Sequence, residues 1–355
     1  MRLYIIANTS FKIPPTILFD TIKQLATHLS TQQSFQLFII GSHLPASLVS
    51  FCNDIESITV LASNEGKQII KNDKAANIIH FGLDIKANKE TKTYFIPLAL
   101  PSDIPGISWL QKQLLNRRFT YWIKQADKII CLSDWSFKSV SEQLIKYKEK
   151  IAIAYLPLSV VPSFEWHELS LNKEKLTSGN QYFLCFAPIK RFTAILKEFS
   201  IFKKWQLTTM HLVFVVETPE AKEEALAMLK GYKFRQSISL LASNDIQSVN
   251  IAASYVILFE GVSFSKSVWI QEAIQYELPI LIDPSLYLPA SWVKAGEVFS
   301  FTEKDALSNH FKLYYKDELY RQNRAKMGVE WLTALHENHH QNESIAIHKI
   351  LQNNR

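Results

Sequence analysis

The sequence is short of glycine. Nine occur in 355 residues, and proteins that cradle phosphates with backbone amides usually spend glycines at strand–helix turns. The shortage warns against a fully equipped nucleotide site. Long apolar runs are missing as well: none reaches about 18 residues, so no membrane span is expected. The opening MRLYIIANTSFK has too short an apolar stretch for a secretion signal and reads as a buried first strand. Cysteine is sparse. Cys52, Cys131 and Cys185 are scattered, with no CxxC and no Cys/His pairing, which excludes a disulfide framework and a zinc site. In DKIICL and YFLCF the thiol reads as a small buried side chain, and a reducing, cytoplasmic setting is expected. Charge of one sign is weak too. The net +6 is diffuse, too mild to indicate nucleic acid, and it suits an anionic small ligand or an anionic membrane face.

What is present is alternation. At 355 residues two domains are the default, and a composition 47% hydrophobic and 20% charged is that of a globular protein with sizeable cores. Strand-like runs occur at 2–7, 35–41, 57–62, 77–82, 93–100, 128–133 and 151–158, with amphipathic helical segments between several of them, such as 17–30 and 135–147. The polar stretch before residue 182 has no clear period and reads as a linker. Strands then resume at 182–187, 211–217, 237–242, 255–260 and 278–283, and residues 305–351 read as helices. Strand–helix repetition argues for α/β domains with parallel sheets. The expected organisation is an N-terminal Rossmann-like domain (1–165), a linker (166–181), a second Rossmann-like domain (182–335) and a helical tail (336–355), the two domains facing across a cleft.

A series of segments then falls in a familiar order. YFLCFAPIKRFTAILKEFSIF, HLVFVVE, SISLLASNDIQSVNIAASYVILF, QEAIQYELPILI and FTEKDALSNHFKLYYKDELYRQNRAKMG together resemble the second half of a retaining glycosyltransferase of the GT-B fold, in the large family-4 group. QADKIICLSDWSFKSV resembles that family's last strand and helix before the crossover. The resemblance covers about 75–330. It implies a nucleoside diphosphate sugar as donor, a glycan or lipid-linked acceptor on the N-terminal side, no cofactor and no metal. It places Lys190 on the family's lysine and Phe199 on its helix phenylalanine. The family sets two glutamates eight positions apart. Glu272 fits the second, but Phe264 stands eight residues earlier, and Glu260 fits the first only with four residues inserted, as a longer loop. Gly261 alone remains of the family's EGFG. Ala187 stands where a glycine usually ends the first strand, ANTSFKIPP replaces the N-terminal glycine-rich loop, and YFIPLALPSD lacks the histidine that often follows the mid-domain strand.

Each candidate has a functional and an ordinary reading. Glu272, on a helix, would accept both ribose hydroxyls of the donor, or is an exposed helix glutamate. Glu260 ends a buried strand, where it would hydrogen-bond the sugar or stabilise charge at the anomeric carbon, or is a solvated strand end. Ser263, Phe264, Ser265 and Ser267 open a helix whose amides and dipole suit a diphosphate, or simply cap it. Lys190 would neutralise the leaving diphosphate, as Arg191 would, although Arg191 stands at a usual asparagine; both could be surface charges. His80 would touch the acceptor or the donor sugar, and Asp84 is weaker; a lone strand-end histidine is more often structural. In WLQKQLLNRRFTYWIKQADK (109–128), Leu115, Phe119, Trp122, Ile123 and Ala126 share one helical face, with Arg117, Lys124 and Lys128 elsewhere. That pattern suits either an anionic membrane surface or, the preferred reading, a core-packing helix with a solvated face.

The function expected is glycosyl transfer, retaining and metal-independent. The alternatives are a catalytically degenerate GT-B protein acting as a binding or partner subunit, and a sugar-nucleotide epimerase, which would want acids and histidines converging from both domains.

Overall fold

A computed structural model describes residues 1–8, 15–31, 35–42, 44–82, 90–98, 100–101, 108–132, 137, 140–142, 144–154, 161–216, 218–260, 264–283, 296–299, 303–341 and 347–352. The chain forms two compact units, Met1–Ser159 with Asn338–Arg355, and Val160–Glu337.

In the first unit the apolar runs become seven parallel strands: β1 (Arg2–Ile6), β2 (Gln36–Gly41), β3 (Ile58–Ala62), β4 (Asn77–His80), β5 (Lys92–Phe95), β6 (Lys128–Cys131) and β7 (Ile151–Ile153). They lie in the order β3-β2-β1-β4-β5-β6-β7. A parallel sheet needs cover on both faces, and helices α1 (Pro15–Ser30), α2 (Ala46–Asn53), α3 (Ser63–Asn72) and α4 (Trp109–Gln125) connect the strands. Within α4, Phe119, Trp122 and Ile123 are buried together with Ala126 beyond its end, and Leu115 packs against them, so the predicted inner face is the one that meets the core. A Ser108–Gln111 capping box starts this helix. Of the 135–147 segment, residues 135–136, 138–139 and 143 lie outside the described residues, 137 and 140–142 are helical, and a 3₁₀ turn occupies Ile145–Lys150.

The second unit holds six parallel strands: β8 (Tyr182–Phe186), β9 (His211–Val216), β10 (Ile238–Ala242), β11 (Val256–Glu260), β12 (Ile280–Asp283) and β13 (Glu297–Val298), in the order β10-β9-β8-β11-β12-β13. The short β13 was not predicted. Its helices are α5 (Trp166–Thr177), α6 (Phe192–Trp205), α7 (Pro219–Leu229), α8 (Ser248–Ala252), α9 (Phe264–Gln275), α10 (Ala306–Lys316) and α11 (Glu318–Gln341), which runs on past the unit's end. Phe183, Phe199, Phe202 and Phe311 fill its core, with Phe183 stacked on Phe311 at 4.3 Å. At the sheet edge, Glu297 accepts hydrogen bonds from Tyr314 (2.6 Å) and Tyr320 (2.7 Å).

Two expectations are corrected. Most of the 166–181 linker is α5, part of the second unit. Its inward face is polar, which hid its period: Asn172 Nδ2 donates to Tyr182 Oη (3.1 Å), Asn250 Nδ2 donates to Asn172 Oδ1 (2.7 Å), and Tyr182 Oη donates to the Asn250 carbonyl (2.5 Å). A buried network satisfied in this way orders a helix as an apolar stripe would. The 336–355 tail is not a separate element either. Residues from Asn338 belong to the first unit, where α12 (Ile347–Gln352) buries Ile347, Ile350 and Leu351, and Tyr94 Oη donates to the Leu351 carbonyl (3.4 Å).

One of the scarce glycines serves packing. A Cβ on Gly66 of α3 would lie 2.6 Å from both Cδ1 and Cγ2 of Ile40, inside the body of a buried β-branched side chain. Gly66→Ala gains about 1 kcal/mol of helix propensity but overpacks the sheet by about 1–3 kcal/mol. A net loss of stability is expected in a denaturant titration; a gain would show that helix and sheet separate freely there.

Candidate functional site

Open α/β sheets bind ligands beyond their carboxyl ends, where the strand order reverses. In the second unit β8 lies between β9 and β11, so the reversal falls between β8 and β11. Two side chains meet there. Glu260 is the last residue of β11, and Arg191 follows β8 in the turn Ile189–Arg191 that leads into α6. Arg191 Nε donates to Glu260 Oε1 at 2.5 Å. The glutamate side chain is 1% exposed and the arginine 36%. Such an ion pair is what permits a carboxylate to stay charged at that depth.

A second acid stands beside the pair. Asp283 ends β12, is in register with Glu260 and is 1% exposed. Register partners on adjacent parallel strands lie about 4.8 Å apart on the same sheet face. Sequence reasoning passed over Asp283. The available signal was that YVILFE and LPILID both end an apolar run on an acid.

Helix α9 is set across this edge by aromatic packing. Phe186 of β8 stacks on Phe259 of β11 at 4.8 Å and on Trp269 of α9 at 4.7 Å, geometries that add to simple burial. The helix begins at Phe264, so only residues 261–263 separate it from Glu260. Glu272 therefore falls in its third turn, about 12 Å of axis from the first residue. It is half-buried. One turn further on, Tyr276 Oη donates to the Pro162 carbonyl (3.0 Å); burial first, and then the Glu272 charge, push that phenol above its ordinary pKa.

The other candidates divide. Lys190 is exposed in the turn beside Arg191, so the cation in contact with the predicted glutamate is the arginine. Gly261, Ser263 and Asp84 lie outside the described residues. So do the side chains of Phe264, Ser265 and Ser267, whose backbone opens α9. His80 ends β4 beside β1, at the corresponding reversal of the first unit's sheet. It is buried, stacks on Phe95 at 5.2 Å, and its Nδ1 accepts from the Gly82 amide (3.4 Å). Among the described residues no group of three or more His, Cys, Asp or Glu side chains could hold a metal ion.

Two Rossmann-like units, each wound about such a reversal, define the GT-B fold. Solved structures with this architecture align along almost the whole chain. Anabaena HepE in complex with UDP and glucose matches at 11% identity, covering 94% of each chain, with a TM-score of 0.63. A glycosyltransferase from Rickettsia africae matches at 14% identity over 99% of this chain and 96% of its own, TM-score 0.63. WaaG, a glycosyltransferase involved in lipopolysaccharide biosynthesis, matches at 12% identity over 93% and 94%, TM-score 0.62. No family model and no curated protein matches the sequence.

Removing the arginine takes the cation away from a buried carboxylate. Arg191→Ala should cost on the order of 3 kcal/mol, and the double change Arg191→Ala/Glu260→Gln should recover most of it. Urea unfolding of the single and double variants checks this. Equal losses in both would mean that the contact contributes packing and not charge.

Proposed function

We propose that the chain transfers a glycosyl group from a nucleoside diphosphate sugar to an acceptor, with retention and without a metal. The observation that carries this reading is the Arg191–Glu260 pair at the strand-order reversal of the second unit. A guanidinium there can neutralise the diphosphate as the bond from the anomeric carbon to its oxygen breaks, with Lys190 adding charge from the same turn. Glu260 would address the sugar and Glu272 the ribose, while the backbone amides that open α9 would meet the phosphates. The electron pair leaves with the diphosphate, and the acceptor oxygen bonds the same face of the sugar and passes its proton to the departing phosphate oxygen. Catalysis then rests on orientation and leaving-group stabilisation. The acceptor, a glycan or lipid-linked alcohol, falls to the first unit, where His80 stands at the sheet edge.

One observation favours the second reading, a binding or partner subunit without turnover: Glu260 is sealed from solvent and held by Arg191. Thermal unfolding with UDP-, GDP- and ADP-sugars tests the donor site. One nucleotide class should stabilise the protein by about 2.7 kcal/mol at a hundred times its Kd, and Glu272→Ala should weaken this. No shift with any nucleotide removes the donor site. Binding without sugar release to water or to any acceptor supports the second reading.

No described helix is long and apolar enough to cross a membrane. Contact with a membrane surface is proposed through the outer face of α4. Leu110, Leu114, Arg117, Tyr121 and Lys124 recur there at helical spacing and are exposed, as is Trp109 at the helix start. Apolar and basic groups on one stripe suit an anionic interface. Each basic residue contributes about 1 kcal/mol to such binding, so Arg117→Gln/Lys124→Gln should weaken sedimentation with phosphatidylglycerol vesicles roughly 30-fold. Wild-type protein that stays in the supernatant would refute the contact.

A further inference from the structure

We propose that a cavity at the amino edge of the first unit's sheet holds a neutral saccharide, at a site separate from the carboxyl edge. β1, β4 and β5 are neighbours in that sheet, and each opens on a polar residue: Arg2, Asn77 and Lys92. Asn77 is in register with Lys92 on one side and with Leu3, the residue after Arg2, on the other. With Asp73, Glu90 and Leu351 these residues line a cavity of about 530 Å³, a size that suits a small-molecule ligand. His80 ends β4 three residues beyond Asn77, so the cavity and the sheet's reversal are about 10 Å apart along the strand. Leu351 belongs to α12, and the chain's end therefore supplies one wall.

The lining holds hydrogen-bonding capacity that the chain does not spend. Asn77 is 7% exposed. Its Nδ2 donates to the Ala75 carbonyl (3.3 Å), and its Oδ1 accepts from Tyr94 Oη (3.4 Å). A carboxamide has two N–H groups and two acceptor positions, so one of each is left for a ligand. Lys92 and Glu90 stand two residues apart where β5 begins, and among the described residues neither side chain has a hydrogen bond or an ion pair. Asp73, in contrast, is engaged: Oδ1 accepts from the Ala75 amide (3.2 Å), Oδ2 accepts from Tyr4 Oη (2.7 Å), and Arg2 Nη1 lies 3.5 Å from Oδ2. Arg2 is thus matched by Asp73, and Lys92 by Glu90, so a ligand of either charge gains no net attraction. An apolar ligand would strand the Asn77 amide. A sugar suits the lining, because each of its hydroxyls both donates and accepts, and here an amide, an ammonium and a carboxylate offer donors and acceptors side by side.

The test is titration of the full chain with glucose, N-acetylglucosamine and maltotriose, followed by saturation-transfer NMR on the sugar. At least one is expected to bind. Binding of glucose supports a free sugar as the occupant, and binding of maltotriose alone supports the end of a glycan. Lys92→Ala and Glu90→Ala each remove one charged hydrogen-bonding partner and should weaken that binding about ten-fold. Neither side chain is buried, so both variants should unfold at the wild-type temperature. Wild-type affinity in both variants would place the sugar elsewhere and overturn the site. So would the absence of binding by all three sugars, or binding of glycine or inorganic phosphate in their place. The donor-site reading stands or falls separately, on the nucleotides.

Discussion

Parallel strands buried on both faces are the constraint from which the rest follows. β8, β11 and β12 are covered along their whole length, so neither face of the sheet is open to a ligand. Chemistry is displaced to the carboxyl ends, where strands stop and helices begin. With the order reversing between β8 and β11, the residues that follow β8 and end β11 are obliged to approach one another. An arginine in the first position and a glutamate in the second make an ion pair out of a topological necessity.

That arrangement also governs the electrostatics. A carboxylate sealed at the edge of an apolar sheet is tolerable only with a counter-charge and hydrogen bonds, and Arg191 supplies both in one contact. The aromatic stack of Phe186, Phe259 and Trp269 keeps the neighbouring helix in place beside it. Rings and strands therefore hold this edge of the second unit, with a partly exposed guanidinium at its surface. The glycine that follows Glu260 at this edge, Gly261, lies outside the described residues. Gly66 instead lets α3 approach Ile40 closely, which accounts for one of the few present without any appeal to phosphate binding.

Much of this was legible in the sequence. Continuous apolar runs located twelve of the thirteen strands, because a strand buried on both faces cannot conceal its hydrophobicity. β13, two residues long, is too short to carry a pattern. α5 was read as a linker because Asn172 and Thr177, and not an apolar stripe, face inward. The tail was read as independent because nothing local shows that Ile347, Ile350 and Leu351 cover the first unit. At the site, Glu260 and Glu272 were legible from their flanks. The choice between Lys190 and Arg191 was not: adjacent residues in a turn point apart, and only the turn's geometry says which one reaches β11.

By itself the sequence determined the α/β class, the near-complete strand inventory, and an acid at the end of β11 with a basic pair after β8. These are properties of local pattern, since each strand's burial is written in its own residues. The tertiary structure alone decided the strand order, the pairing of Arg191 with Glu260, the register that sets Asp283 beside them, and the unit to which the chain's end belongs. Those depend on contacts between segments far apart in the chain, which no local period encodes.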